Sequence, residues 1–302
     1  MSDNINKILE FYNGFENRNQ LIQWMKDRPK GVANIHEVEG DKDIIVVIPT
    51  ADINGKYAKE CRNNIFKGLH IVFVESGRGD FYFNYAHNCN VGIKKAIEYN
   101  PKWIVVSNDD MVKIDDSYIL RRNLLKLDNK IVKTVFTTQS SRHQYHSYKT
   151  GIGKRRKFLG YIGILIHYLI HKALRKFLIM NKLFVKFNVR WYLVPRSELL
   201  SRIFFKRVNR YIMTSSLSIL SSVWCLQVNG NVFNECYING VEDWELSISL
   251  TRDKNRYTFI NYKIGDLIGG TLSTGSTRMF RDVVNLVYFD ENVHTKNILL
   301  KL

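Results

Sequence analysis

The sequence lacks the devices on which several enzyme classes depend. No G-x-G-x-x-G turn follows its strand-like runs, which excludes the glycine-lined pyrophosphate turn of a dinucleotide fold. No G-x-x-x-x-G-K-[ST] is present, so P-loop chemistry is out, and no G-x-S-x-G elbow is there to expose a nucleophilic serine. Cysteine is scarce: Cys61, Cys89, Cys225 and Cys236 make no C-x-x-C pair and no tight framework, so reduced thiols are expected. The first 30 residues carry Asp3, Lys7, Glu10 and Glu16 with no apolar run, so no signal peptide and a cytoplasmic location are expected. The uncharged run Phe158 to His171 has 14 residues, short of the ~20 that a bilayer span needs. Disorder is excluded as well, because 45% of the 302 residues are apolar and 13% are aromatic.

Negative charge is missing from one stretch in particular. Between Lys149 and Arg210 stand 16 Lys or Arg and a single acid, Glu198, so this block holds +15 of the formal +17. Charge so concentrated points to a local device rather than to general nucleic-acid binding, and no RNA- or DNA-binding motif accompanies it. The block contains Lys154-Arg155-Arg156-Lys157, the apolar run 158–171, and then Lys172 to Lys186. On a helical projection Lys172, Arg175, Lys176, Lys182 and Lys186 share one arc. Ala173, Leu174, Phe177, Met180 and Phe184 lie largely opposite, while Ile179 and Leu183 intrude on the polar side. The pattern predicts an amphipathic helical insertion over 150–210, suited to an anionic membrane face. A core-packing helix with a solvated basic face is the other reading.

Elsewhere the pattern alternates. Residues 1–40 read as a helical lead-in with Leu21, Ile22, Trp24 and Met25 buried. Asp43 to Pro49 is a β-branched run ended by proline, and Leu69–Glu75 and Trp103–Ser107 are further strands. Helices are predicted over Tyr57–Phe66 and Phe83–Tyr99, with a turn at Gly77-Arg-Gly79 and a fourth strand over Ile131–Thr137. This is an α/β domain with a mostly parallel central sheet flanked by helices, spanning 41–270, followed by a tail at 271–302. In such sheets ligands sit at the carboxyl ends of the strands.

Asp109-Asp110 follows an apolar strand directly. Adjacent carboxylates at a buried strand end repel and lose hydration, which a divalent cation resolves; a solvated, helix-capping turn resolves it equally. Glu242-Asp243 suits a helix start on dipole grounds alone. It gains chemical meaning if the fold brings it to the first pair.

Read in order, Ile44–Thr50, Phe73–Ser76, Asn90-Val-Gly92, Ser107–Asp110, Val232–Glu235 and Gly240–Leu246 resemble the motifs of family 2 glycosyltransferases with the GT-A fold, over roughly 43–250. The resemblance implies a hexosyltransferase-like, inverting enzyme using Mn²⁺ or Mg²⁺. Its partners would be a nucleotide-sugar donor and a lipid-linked, protein or glycan acceptor, on the cytoplasmic face of a membrane as a peripheral protein. It places Pro49, Thr50, Glu75, Asn108 and Asp109 around the nucleotide-sugar, and Asp110 with Asp109 on the metal. Asp243 would be the catalytic base, with Glu242 beside it. Asn108 departs from the first acid of a strict D-x-D, Glu75 stands where Asp is usual, and Cys89 where Arg is frequent. Asp266 stands nearest to the place of a late histidine. The rival enzyme class, nucleotidyltransferases, wants a glycine-rich basic loop after the first strand, which Thr50–Gly55 does not supply. The rival outside enzymology is a membrane- or RNA-binding protein.

Overall fold

The computed structural model describes residues 2–137, 146–153, 174–189, 191–193, 205–213, 216–251, 253–267 and 276–295. Helices α1 (Ser2–Asn13) and α2 (Arg18–Asp27) lead into β1 (Asn34–Val38) and β2 (Asp41–Thr50). Helix α3 (Lys56–Glu60) continues into a π-turn over Cys61–Ile65, and β3 (Leu69–Glu75), α4 (Tyr85–Ile97) and β4 (Trp103–Ser107) follow. Next come β5 (Met111–Lys113), α5 (Ser117–Leu124), β6 (Thr134–Thr137), β7 (His146–Gly153), α6 (Leu174–Lys186), β8 (Trp191–Leu193) and β9 (Phe205–Met213). Strand β10 (Leu217–Ser221), α7 (Ser222–Gln227), α8 (Glu242–Thr251), β11 (Tyr257–Ile260), β12 (Ile264–Asp266) and α9 (Ser276–Thr295) complete the order.

The central sheet has seven strands in the order β1-β3-β2-β4-β10-β6-β11. It is mixed: β1 and β10 run against the other five, so β1 pairs antiparallel with β3, and β10 with both β4 and β6. The β-branched run of β2 is continuous because both of its faces are covered. Ile44, Val46 and Ile48 enter one core with Cys61, Ile65 and Leu120, while Ile45 and Val47 enter the other with Cys89, Ile93 and Leu246. That division is the period of two of a strand. Trp103, fully buried, donates its indole N–H to Leu124 O at 3.0 Å, so the largest core side chain is satisfied.

A third core stands apart from the sheet, built from the two ends of the chain and α6. Tyr12, Leu21, Met25, Phe187, Val283, Val287 and Phe289 meet there. Arg18 ties α2 to α9 through Asp290 at 2.6 Å and the Val287 carbonyl at 3.2 Å, and the Tyr12 hydroxyl donates to the Phe280 carbonyl. The segment 271–302 is therefore more than a tail, since α9 buries Val283, Val284 and Val287 completely. Within 1–40, Leu21, Ile22 and Met25 are buried as expected, but Asn34–Val38 is an edge strand.

The basic block departs from the helical expectation. Its two ends pair as antiparallel strands, from His146↔Met213 to Gly153↔Phe205, with β8 on the outer side of β7. Pairing across some 60 residues leaves no helical period to read. Helix α6 does form, yet Met180, Leu183 and Phe184 are buried in the third core and Ile179 packs against it. Lys182 and Val185 remain exposed. The apolar face of this half of the insertion thus turns inward; Lys154–Lys157 and the run 158–171 lie outside the described residues. Among the described residues no helix is long and apolar enough to cross a membrane.

Helix α4 approaches the sheet at a glycine. A Cβ on Gly92 would lie 2.3 Å from Val47 Cγ1 and 2.9 Å from Val74 Cγ2. Gly92→Ala is expected to cost about 1–3 kcal/mol by overpacking, read as a lower urea midpoint. Combined with Val47→Ala, which vacates the colliding methyl, the double variant should lose less than the two single losses added together.

Candidate functional site

Strand β2 is followed by β3 on one side and, after α4, by β4 on the other. The carboxyl ends of β2 and β4 therefore flank the point where the strand order reverses, the usual ligand crevice of an open α/β sheet. Thr50 ends β2 and Asn108-Asp109-Asp110 follows β4. The two ends are joined: Thr50 Oγ1 donates to Asp109 Oδ2 at 2.8 Å. Pro49 is buried just before, and Ser76, after β3, donates through N to Thr50 O at 3.0 Å.

The acidic turn is clamped from several directions. Cys61 Sγ donates to Asp109 O at 3.3 Å, and Leu267 N donates to Asp110 O at 2.8 Å. Asn108 N donates to Ser216 O at 3.0 Å, and its side-chain Oδ1 accepts the Tyr85 hydroxyl at 3.0 Å. Strand β12 then pairs with β5 so that Asp266 faces Met111, and Asp266 Oδ2 accepts Ser216 Oγ at 2.7 Å. A third acid thereby joins the neighbourhood of Asp109 and Asp110.

Both aspartates of the turn are only 6% exposed. Burial pushes Asp109 up to about 6 and the charge of Asp110 adds to that, against the Thr50 hydroxyl, which lowers it. Such a pair is what a hard cation relieves. Mg²⁺ or Mn²⁺ takes one or two protein carboxylates and fills its other positions with water and phosphate oxygens, so Asp109 and Asp110 suit it. Among the described residues no group of three His, Cys, Asp or Glu forms a complete protein cage.

Glu75 at the end of β3 braces its surroundings. Its Oε1 accepts Ile53 N at 2.9 Å, and its Oε2 lies 3.0 Å from His36 Nε2 on the edge strand.

The late acids reach the site through α4. Asn90 Oδ1 accepts Val232 N and Phe233 N at 3.1 and 2.9 Å, and its Nδ2 donates to Phe233 O at 2.8 Å. The Asn of Asn-x-Gly is thus a stitch, and its Gly permits close packing. Asn84 Nδ2 donates to Glu235 O at 2.7 Å, and Asn239 Oδ1 accepts Tyr85 N at 2.8 Å. The chain then turns into α8 through Val241, at φ 78°, a costly conformation for a β-branched residue. Gly240 N donates to Glu242 Oε2 at 2.6 Å, and Trp244 N donates to Asp243 Oδ1 at 3.0 Å.

Tyr85 bonds the first acid group and feels the charge of the second. Its hydroxyl bonds Asn108, and burial and the charges of Glu242 and Asp243 push its pKa well up. No protein-family model and no curated protein matches this chain. The site accordingly rests on its own geometry. Of the residues expected from the sequence, Thr50 and Asn108-Asp109-Asp110 come together in one turn, Asp266 approaches it through Ser216, and Glu242 and Asp243 open α8. Sequence reasoning missed Tyr85, Ser216, Cys61 and Arg281. Only Tyr85 had a positional signal, at the first turn of a helix that follows a strand's carboxyl end. Asp243 was expected to titrate like an ordinary aspartate; instead burial, and then the charge of Glu242, raise it well above that range. Glu242 is raised by burial too, against the opposing charge of Arg281.

A carboxyl whose folded-state pKa is raised favours the folded chain below its unfolded value and penalises it above. For Asp109 in the metal-free protein the penalty grows from about pH 4 and is complete above about pH 6. Asp109→Asn, whose Oδ1 can still accept Thr50, should stabilise the protein at pH 8 by roughly 3 kcal/mol and by next to nothing at pH 4. Urea midpoints in EDTA at the two pH values test this; a gain independent of pH would mean that Asp109 titrates normally.

Proposed function

We propose that the chain is a metal-dependent glycosyltransferase of the GT-A type, transferring a sugar from a nucleotide-sugar to an acceptor hydroxyl with inversion. The observation that carries this reading is the buried Asp109-Asp110 pair at the sheet's switch point, beside Asn108, whose partner Tyr85 is subject to the charges of Glu242 and Asp243. A transfer of this kind needs charge neutralisation at a diphosphate and a base at an acceptor hydroxyl, close together but distinct.

In this reading Pro49, Thr50, Glu75 and Asn108 bind and orient the nucleotide. Asp109 and Asp110 would hold Mn²⁺ or Mg²⁺, which when bound supplies Lewis-acid stabilisation of the diphosphate leaving group. Asp243 takes the proton of the acceptor hydroxyl as its oxygen forms a bond to the anomeric carbon. The bond from that carbon to the diphosphate breaks, and its electron pair leaves with the nucleoside diphosphate. Glu242, bonded by Gly240 N and facing Arg281, keeps the base's pKa high. A base raised toward the working pH accepts a proton more effectively than an ordinary aspartate. The basic excess between Lys149 and Arg210 fits an anionic membrane face as the working place.

A panel of nucleotide-sugars, with Mn²⁺ and with EDTA, tests the activity directly: one donor should be hydrolysed or transferred only with metal. Asp110→Asn should remove the metal-dependent turnover without lowering the urea midpoint; retained turnover would take Asp110 off the metal.

Asp243→Asn should bind donor normally and lower kcat by about 10²–10⁴-fold. The acidic limb of the parent's rate profile should lie above the ordinary carboxylate range near pH 4, and Glu242→Gln should move it toward lower pH by removing a like charge. An unmoved limb would take Glu242 out of the pair.

A further inference from the structure

Beside the acids the third core leaves an open cavity of about 760 Å³. Its walls are rings held edge to face: Phe11 stands 5.0 Å from Trp24 and 4.6 Å from Phe280, at 70° and 62°. Its rim is Phe81 and Tyr82, at 5.1 Å and 86° from each other, in the loop that runs from the end of β3 to α4. Phe81 is 83% exposed, which is unusual for so large a ring at the mouth of a cavity.

The rim is fixed in place. Asp80 accepts Val32 N at 3.0 Å and Tyr82 N at 2.9 Å, and Arg28 Nη2 donates to Phe81 O at 3.3 Å. A Cβ on Gly31 would lie 2.1 Å from Asp80 Oδ2, so the segment after α2 is pressed against this loop. Such a pocket pays little ordering cost when it is filled.

Its charge has one dominant sign. Lys7, Arg28 and Arg281 line it against one acid, Asp27, whose two oxygens each lie 2.9 Å from the Gln23 amide nitrogen. The cavity also abuts the base end of the site rather than the metal end. Arg281 on its wall acts on Glu242, and Asn239 on its wall accepts Tyr85 N.

We propose that this cavity is the acceptor pocket and that the acceptor is an amphipathic phosphate ester that also carries the free hydroxyl Asp243 deprotonates, its apolar chain between the aromatic walls and its phosphate among Lys7, Arg28 and Arg281. The term acceptor rests on the glycosyltransferase reading; the binding chemistry does not. Apolar walls recognise the chain, and each buried methylene adds about fourfold in affinity. The cations recognise the dianionic head.

Calorimetric titration of the full chain, without donor or metal, tests the pocket with octyl phosphate, hexyl phosphate, 1-octanol and inorganic phosphate. Octyl phosphate should bind best, hexyl phosphate about tenfold more weakly, octanol at least tenfold more weakly, and inorganic phosphate not measurably. Phe81→Ala with Tyr82→Ala should weaken octyl phosphate at least tenfold, and Lys7→Glu should weaken it while leaving octanol unchanged, each at an unaltered urea midpoint. Equal binding of octyl phosphate and octanol would overturn the anionic head, and binding of inorganic phosphate as tight as octyl phosphate would overturn the chain. No binding, or variants that bind like the parent, would overturn the pocket. If the pocket fails while metal-dependent donor turnover persists, only the acceptor class falls. If octyl phosphate binds as expected and no nucleotide-sugar is turned over, the pocket stands and the transferase reading falls.

Discussion

Helix α4 lies so close on the sheet that a methyl at Gly92 would stand 2.3 Å from Val47 Cγ1, and much of the site depends on that approach. Packed there, α4 presents Asn84, Tyr85, His87 and Asn90 to the segment 232–239. Asn90 satisfies two backbone N–H groups of that segment and one carbonyl, and His87 Nδ1 lies 3.1 Å from Glu235. A segment held by so many bonds cannot drift, and α8 begins directly after it. The acids at the start of α8 are thus placed by a glycine 150 residues earlier in the chain.

Two desolvated acid pairs in one crevice carry a standing electrostatic cost. Burial raises Asp109 and Asp243, and in each case the neighbouring carboxylate raises it further. Protein groups offset part of this: the Thr50 hydroxyl at Asp109, and Gly240 N with Arg281 at Glu242. The offsets are unequal in kind. The Thr50 hydroxyl is a neutral donor to the Asp109 side chain, and an exogenous cation there would relieve the pair further. A cation, Arg281, already acts on Glu242, so environment rather than residue type sets the two pairs apart.

The sheet was legible because β2, β3 and β4 are buried on both faces and read as unbroken β-branched or apolar runs. Strand β10 was not, since Leu217-Ser-Ile-Leu-Ser221 mixes serines into a strand that is buried on nearly every residue. Ser221 is satisfied inside the fold by donating to the Asn129 carbonyl, a partner that no local pattern announces. The edge strand β1 was hidden by Asn34, His36 and Glu37, polar residues that an edge tolerates. On α6 the projection set Met180 and Phe184 on the apolar side, and both are buried in the third core, but it set Leu183 and Ile179 among the lysines, whereas the core extends to them as well. A helical projection finds the polar arc of an isolated helix; it cannot say which side a partner from the far end of the chain will cover. Asp109-Asp110 was readable as a pair because it follows a strand directly. Tyr85, Ser216 and Arg281 were not, because each acquires its role from a residue more than 20 positions away.

The third core links the two ends of the chain to the chemistry. Arg18 to Asp290, Tyr12 to Phe280, and Asn285 to both the N–H and the carbonyl of Ile238 join α1, α2 and α9 to the segment that leads into α8. Asn285 is buried and gives Ile238 two bonds, at 2.8 and 3.0 Å, so a shift of α9 must move Ile238 or leave buried polar groups without partners. Arg281 lies one helical turn earlier on α9 and acts on Glu242. Anything that fills the space between α1, α2 and α9 therefore presses on the same helix that fixes the acid pair. The cavity and the Glu242-Asp243 pair thus share α9, through Asn285 at the backbone and Arg281 at the charge.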